Sequence, residues 1–339
     1  MITCSRRSLV LAGAGIVGSS CMPVVIPSGV ASMPPEVSGE RLIASDGTLL
    51  PLRSWQPADH RPPRAAIIAL HGFNDYSKFF GEAGAWFAER GITSYAFDQR
   101  GFGESPMRGY WAGKAAMADD LASAIIAVRK RHPETPIYLL GESMGGAVVM
   151  VLMARPDPPP VNGIILLAPA IWGRSSMPWY QTLALWLAAH TIPGGSLSGR
   201  GLGIRASDNI EMLRERGQDP LVIKQTRVDA VFGLVNLMDQ AMAATPALSG
   251  RMLLLYGKND QLIPQGAMVE MVTRLPVPAK GDHRLGFYPN GWHMLLHDLQ
   301  RQTVWDDIAA FISDPEQPLP SGAEQEAALW AECAADARC

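Results

Sequence analysis

Residues 137–149, IYLLGESMGGAVV, place a short apolar, β-branched run ahead of Gly141-Glu142-Ser143-Met144-Gly145 and then resume with helix-forming residues. This reads as strand, sharp turn, helix, with G-x-S-x-G in the turn. In that setting the glycines relieve crowding around a strained serine and leave its hydroxyl exposed at the carboxyl end of a sheet. Ser143 is therefore the candidate nucleophile. A bare match to the pattern is usually an ordinary glycine-rich turn, and it is the flanking run and helix that set this one apart.

A serine hydroxyl is a poor nucleophile at neutral pH and needs a base within hydrogen-bond reach, with a third group to orient that base. His293 lies in Pro289-Asn290-Gly291-Trp292-His293, a turn-rich loop just after the last predicted strand, where a side chain overhangs the same sheet edge as Ser143. His297 falls one helical turn further on, and His283 begins a strand at what should be the opposite end. For the acid, residues 253–260, LLLYGKND, read as a buried strand, a glycine turn and Asp260. Asp282 precedes a strand and Asp239 falls in an inserted segment, so both are placed less well. The chain order Ser143, Asp260, His293 matches one of the convergent triads. Acyl transfer also needs donors for the oxyanion. The Met144 amide, just past the nucleophile, is one. The loop after an early buried strand, His71-Gly72-Phe73, supplies the other, for which we choose the Phe73 amide, and His71 reads as structural because it directly ends that strand.

The elements that must position these groups alternate along the chain. Residues 65–70, AAIIAL, are a continuous apolar run of the kind shown by parallel strands buried on both faces. Strands follow at 92–98, 137–140, 163–169, 251–256 and 283–288, with helices expected at 79–90, 115–131, 265–274 and 295–312, and a D-G hairpin turn near 46–47 comes before them. Such alternation implies βαβ units and a mostly parallel sheet flanked by helices, an α/β class. From Trp172 to Ser249 the alternation breaks and no convincing strand is visible, so an inserted helical cap is expected. The organisation is an export signal and linker at 1–35, core at 36–171, cap at 172–249, core again at 250–313, and a tail at 314–339 in which 323–335 could be helical.

The chain has 339 residues, a hydrophobic fraction of 47%, 18% charged residues and a formal net charge of -3. No basic field argues for a nucleic-acid partner. Neither a cofactor nor a metal-ligand spacing is indicated. Ser5-Arg6-Arg7-Ser8 ahead of a short apolar stretch reads as an export signal of twin-arginine type, hence a periplasmic protein, with cleavage expected after Ala31. A lipid-attachment role for Cys21 ranks second, because Gly18 stands where an aliphatic residue is usual. Cys333 and Cys339 either bridge or remain free thiols. In continuous helix they would be about 9 Å apart along the axis, beyond disulfide reach.

Taken together, HGFNDY at 71–76, FDQRGFGES at 97–105, GESMGG at 141–146, YGKNDQLIP at 256–264 and GWHMLLHD at 291–298 resemble the α/β-hydrolase superfamily and, within it, the monoacylglycerol lipase and lysophospholipase group. The resemblance covers roughly residues 41–312. It implies Ser143, Asp260 and His293 as nucleophile, acid and base, the Phe73 and Met144 amides as oxyanion donors, and a site-wall turn at 98–105. Glu142 departs from it, standing where a histidine is common. The implied activity is hydrolysis of single-chain lipid esters, with transient membrane-surface contact through the cap. Trp172, Trp179, Leu183 and Trp186 either receive the acyl chain or form the cap's own core. Amide hydrolysis of an aminopeptidase-like kind, and a non-catalytic binding protein on the same fold, are the alternatives. A serine at the elbow disfavours epoxide or halide chemistry.

Overall fold

The computed structural model describes residues 22–58, 62–201, 203–276 and 282–335, with side chains through Trp330. The proposed leader through Cys21 and the Cys339 end of the cysteine pair lie outside them. In chain order the core elements are β1 (Glu36–Ser38), β2 (Arg41–Ile43), β3 (Leu49–Trp55), β4 (Ala65–Leu70), α1 (Gly81–Ala88), β5 (Ile92–Phe97), α2 (Lys114–Arg131), β6 (Ile137–Glu142), α3 (Met144–Met153) and β7 (Gly163–Leu167). The inserted segment carries α4 (Trp179–Thr191), β8 (Ser196–Leu197), α5 (Ile210–Gln218), β9 (Thr226–Arg227) and α6 (Val228–Ala244). The chain closes with β10 (Met252–Gly257), α7 (Gln265–Arg274), β11 (His283–Tyr288), α8 (Arg301–Ser313) and α9 (Ala323–Ala335).

Among the described residues one sheet of nine strands runs in the order β1-β2-β3-β5-β4-β6-β7-β10-β11, parallel from β5 to β11 and antiparallel at the β1–β3 end. β4 shows why it is central. Successive side chains alternate faces, so Ala66, Ile68 and Leu70 enter the apolar cluster under α2, α3 and α6, while Ala65, Ile67 and Ala69 enter the one under α1 and α8. An unbroken apolar run is what a strand covered on both sides requires. α3 is apolar all round for the same reason, being buried from Met144 to Leu152.

Four expectations are corrected. The inserted segment does contain strand, the two-residue antiparallel pair of β8 with β9, too short to leave an alternating pattern. Its last helix, α6, is less a cap element than part of the core: Val235, Leu237, Met238, Ala241 and Met242 pack in the same cluster as α3. The closing helix begins at Arg301, not near 295. Asp298, which would sit in its first turns, instead accepts from the Trp292 amide at 2.7 Å and from the Ser207 hydroxyl at 2.6 Å, the competition by which short polar side chains stop helices. Finally, residues 314–335 are no loose tail. α9 lies on the last strand with Trp330 stacked on Phe287 at 5.3 Å, and Arg284 of β11 pairs with Glu324 and donates to the Pro315 carbonyl at 2.8 Å. Covering a terminal strand this way protects an exposed sheet edge.

Candidate active site

The strand β6 ends at Glu142, and the chain must reverse into α3 within one residue. Ser143 makes that turn with φ 52° and ψ -114°, outside the regions that non-glycine residues normally occupy. Its backbone is held on both sides: the Ser143 N–H donates to Leu167 O at 2.9 Å, and Ser143 O accepts from Ala147 N at 3.1 Å and Ala170 N at 2.9 Å. The neighbouring glycines are required by contact. A Cβ on Gly145 would run into the Leu70 carbonyl, and one on Gly141 would lie 2.5 Å from the Gly146 nitrogen.

Asp260 follows β10 in a tight turn, its N–H donating to Gly257 O at 3.1 Å. One carboxylate oxygen accepts from the Leu262 and Ile263 amides at 2.7 and 3.0 Å, and the other meets His293 Nδ1 at 2.8 Å. Both side chains are buried. His293 follows β11, as expected, and its loop is fastened to the inserted segment by Met294 N donating to Ala206 O at 3.0 Å. Burial alone would drive the imidazolium down, but the Asp260 carboxylate and its hydrogen bond, with Glu142 and Asp298 further off, leave its pKa raised. The sequence reading thus puts three residues after the carboxyl ends of β6, β10 and β11. The structure pairs two of them directly, while Ser143 Oγ makes no hydrogen bond among the described residues. Unliganded sites commonly show such looseness.

The candidate oxyanion donors sit on two different elements. Met144 is the first residue of α3, where an N–H has no helical partner. The Phe73 amide makes no backbone hydrogen bond among the described residues. Its loop is pinned just beyond: Asn74 takes φ 67°, donates through Nδ2 to the Thr226 hydroxyl at 2.7 Å and accepts from Ile223 N at 2.9 Å, and Asp75 pairs with Arg216. Asparagine tolerates that left-handed conformation better than most residues. His71 is structural. Its Nε2 accepts from Gln99 N at 3.0 Å, which leaves Nδ1–H to donate to Gly72 O at 2.8 Å, and burial holds the ring in the neutral form. His297 is likewise depressed by burial, to about 4, and no competing base arises from it.

Two features escaped sequence reasoning. Asp298 braces the His293 loop from behind through Trp292 N and Ser207, and its burial pushes its pKa up to about 6. Its position five residues past His293 was the available signal. Glu142, noted only as a departure, is buried with an Oε2 atom that has no hydrogen-bond partner among the described residues, and burial lifts its pKa from 4.5 to about 7. Among the described residues no cluster of acidic, histidine or cysteine side chains is arranged to hold a metal ion.

A strained serine, a buried Asp–His pair and two free amides at one sheet edge are the parts acyl transfer needs. The family model described as serine aminopeptidase, S33, matches residues 61–300. The chain belongs to this family. Its relatives include the monoglyceride lipase of Rattus norvegicus, 29% identical over 80% of this chain and 89% of the relative. The monoacylglycerol lipase of Mycolicibacterium smegmatis is 25% identical over 76% of this chain and 90% of its own length. The architecture is the α/β-hydrolase fold. Among solved structures of that fold, a soluble variant of monoglyceride lipase from Saccharomyces cerevisiae, in complex with a substrate analog, superposes with a TM-score of 0.68 at 18% identity, over 87% of this chain and all of that one. The monoacylglycerol lipase of Paleococcus ferrophilus gives 0.63 at 22% identity, over 78% and 99%.

Proposed function

We propose that this S33-family chain is a serine ester hydrolase of single-chain acylglycerols. The observation that carries the reading is the buried 2.8 Å hydrogen bond from His293 Nδ1 to Asp260, at the edge where the turn exposes Ser143. With Nδ1 engaged, Nε2 is the ring nitrogen left to take the Ser143 proton as Oγ attacks the ester carbonyl. Asp260 stabilises the imidazolium so formed, and the Phe73 and Met144 amides receive the oxyanion. Collapse of the tetrahedral intermediate passes the proton from His293 to the departing glycerol oxygen and leaves an acyl ester on Ser143. Water, deprotonated by the same histidine, then releases the fatty acid and restores the serine.

Acylglycerol is favoured as substrate class because the relatives named above carry that activity in their names and because the cap offers an apolar face. Trp179, Tyr180, Leu183 and Trp186 of α4 are exposed, Trp179 at 76%. We propose that this face rests transiently on a lipid surface, where such substrates reside. Amide hydrolysis of an aminopeptidase kind would need a fixed carboxylate for a free ammonium group. Glu142 suits that poorly, because a carboxyl lifted to about 7 is largely neutral below neutrality. Export rests on the paired arginines at 6 and 7, with lipid attachment at Cys21 second. Fractionation that finds only cytoplasmic chain with Met1 intact would exclude both.

The test of function is a fluorophosphonate probe with a chain-length series of monoacylglycerols, lysophospholipids and aminoacyl amides. Wild type should be labelled at Ser143 and prefer an acylglycerol, and Ser143→Ala should lose on the order of 10⁴- to 10⁶-fold in kcat. An unlabelled wild type no more active than Ser143→Ala would leave a non-catalytic binding protein instead.

A further inference from the structure

Residues 22–35, expected to be a linker, lie against the body of the protein as a strap. Gly29 N donates to Asp46 at 2.8 Å, and Ser32 N and Met33 N both donate to Ser45 O, at 2.8 and 3.1 Å. Towards its start the strap bridges to Trp111 through Val25, with Ile26 N donating to Trp111 O at 2.9 Å, and Val24 N donates to Asp229 in the first turn of α6 at 3.3 Å. Asp229 is buried and also held by Arg227, whose guanidinium lies 4.3 Å from the Tyr110 ring centre. Strap, the 110–111 loop and α6 are therefore one hydrogen-bonded unit.

Trp111 is the wedge of that unit. It is 3% exposed. On one side its indole meets the Phe73 ring edge-on, with centroids 6.3 Å apart, and Phe73 is braced from another side by Phe102 at 5.7 Å. On the other side it presses against α6 at Gly233, where a Cβ would overlap the ring. Phe73 is the residue whose amide we assign to the oxyanion. Beyond Phe73 the loop is fixed by Asn74 and Asp75, so the remaining freedom near that amide is the position of the Phe73 side chain.

We infer that Trp111, locked in place by the strap at residues 24–33, is a positioning residue that sets the Phe73 amide for oxyanion binding, and that the strap stays part of the working enzyme. The inference rests on the acyl-enzyme reading above. Trp111 acts through Phe73 and touches no reacting atom. A donor moved by about an ångström binds the developing charge poorly while ground-state contacts survive, so the effect belongs in kcat. It also moves the processing site: cleavage after Ala31 would strip Val24, Val25 and Ile26 from their partners, so any leader is removed upstream of Val24.

The experiment uses the full chain with Gly233→Ala, Trp111→Ala, Trp111→Phe and Ile26→Pro, assayed on a soluble p-nitrophenyl ester alongside thermal unfolding. Gly233→Ala displaces the indole without touching the site, and alanine is the better helix former at 233. Gly233→Ala and Trp111→Ala should lower kcat by about ten- to a hundredfold, below the loss for deleting an oxyanion donor outright, with KM changed little. Trp111→Phe should recover most of the rate, and Ile26→Pro, which deletes one strap hydrogen bond, should lose less than either. If Trp111→Ala does not fold, Gly233→Ala and Trp111→Phe carry the test. Folded Gly233→Ala with wild-type kcat overturns the inference, as does activity lost only in proportion to the folded fraction. Mass spectrometry of active enzyme from expressing cells supplies the second arm: retention of residues 24–31 agrees, and an N-terminus at Ser32 overturns it. A wild type that fluorophosphonate does not label sinks the functional reading itself, whereas labelled wild type with indifferent variants sinks this inference alone.

Discussion

Two helices of the inserted segment are comparably apolar and use that character in opposite ways. α6 turns Val235, Leu237, Met238, Ala241 and Met242 into the cluster beside α3, and its first turn accepts the strap. α4 buries only Ala189 and leaves two tryptophans and a tyrosine facing outward. The difference teaches that apolar content in an insertion does not tell whether a helix is a beam or a surface. What differs between the two is whether charged groups on the helix are held by distant parts of the chain. α6 is preceded by Arg227, paired with Asp229, and Asp239 near its end pairs with Arg174. Neither helix has a side-chain cap at its start, but among the described residues α4 makes no ion pair.

Breaking the beam should have the larger consequence. Leu237 of α6 is fully buried. Leu237→Ala should cost about 2–5 kcal/mol of stability by lost transfer energy and the cavity left behind. Chemical denaturation should show this as a lower midpoint with an unchanged slope, while kcat of the remaining folded enzyme stays near wild type. A variant as stable as wild type would mean that α6 is not the core element its burial indicates.

The surface helix should respond the other way. Replacing Trp179 and Trp186 together by serine removes exposed rings that are not part of the core, so the unfolding midpoint should hold. Activity on a soluble short-chain ester should hold as well. Turnover of monoacylglycerol in phospholipid vesicles should fall by at least about tenfold, since burying one such side chain in an apolar phase is worth about 1.5–3 kcal/mol. Equal loss on both substrates would place these rings in an acyl pocket instead, and loss of stability would make them packing.

The same contrast governs what could be read from the sequence. The strands β4, β6 and β10 were legible because doubly covered strands must be apolar throughout, and the positions of Ser143 and Asp260 after β6 and β10 followed from that, while His293 was placed by the turn-rich loop after β11. The strap and α9 were not, since their hold depends on partners far along the chain: Val24 on Asp229, Arg284 on Glu324. Proline- and serine-rich composition at 22–35 and 314–322 looks like linker whether or not such partners exist. The start of α8 was misplaced for a related reason, the capture of Asp298 by Ser207 from the inserted segment. Local pattern predicts what a segment can form, and distant hydrogen bonds decide what it does.

Buried carboxylates under the cap divide along that line too. Asp75 is paired with Arg216 and Asp298 is hydrogen-bonded by Ser207 and Trp292, but among the described residues Glu142 Oε2 has no partner. Burial lifts Glu142 to about 7, Asp75 and Asp298 push the same way, and His293 and Arg216 oppose. An ionised Glu142 in turn favours protonated His293. Since the base must be neutral to accept the serine proton, Glu142→Gln should move the acid limb of the kcat/KM profile to lower pH and make it steeper by removing a second titration near it. With a folded pKa above the unfolded value of 4.5, the folded state binds the extra proton, so Glu142 costs stability progressively as pH rises from 4.5 to about 7. Glu142→Gln should therefore gain stability over wild type at pH 8 and gain least at pH 4. An unmoved acid limb together with a pH-independent stability difference would show that Glu142 is neutral throughout, and that packing alone accounts for its place beside Ser143.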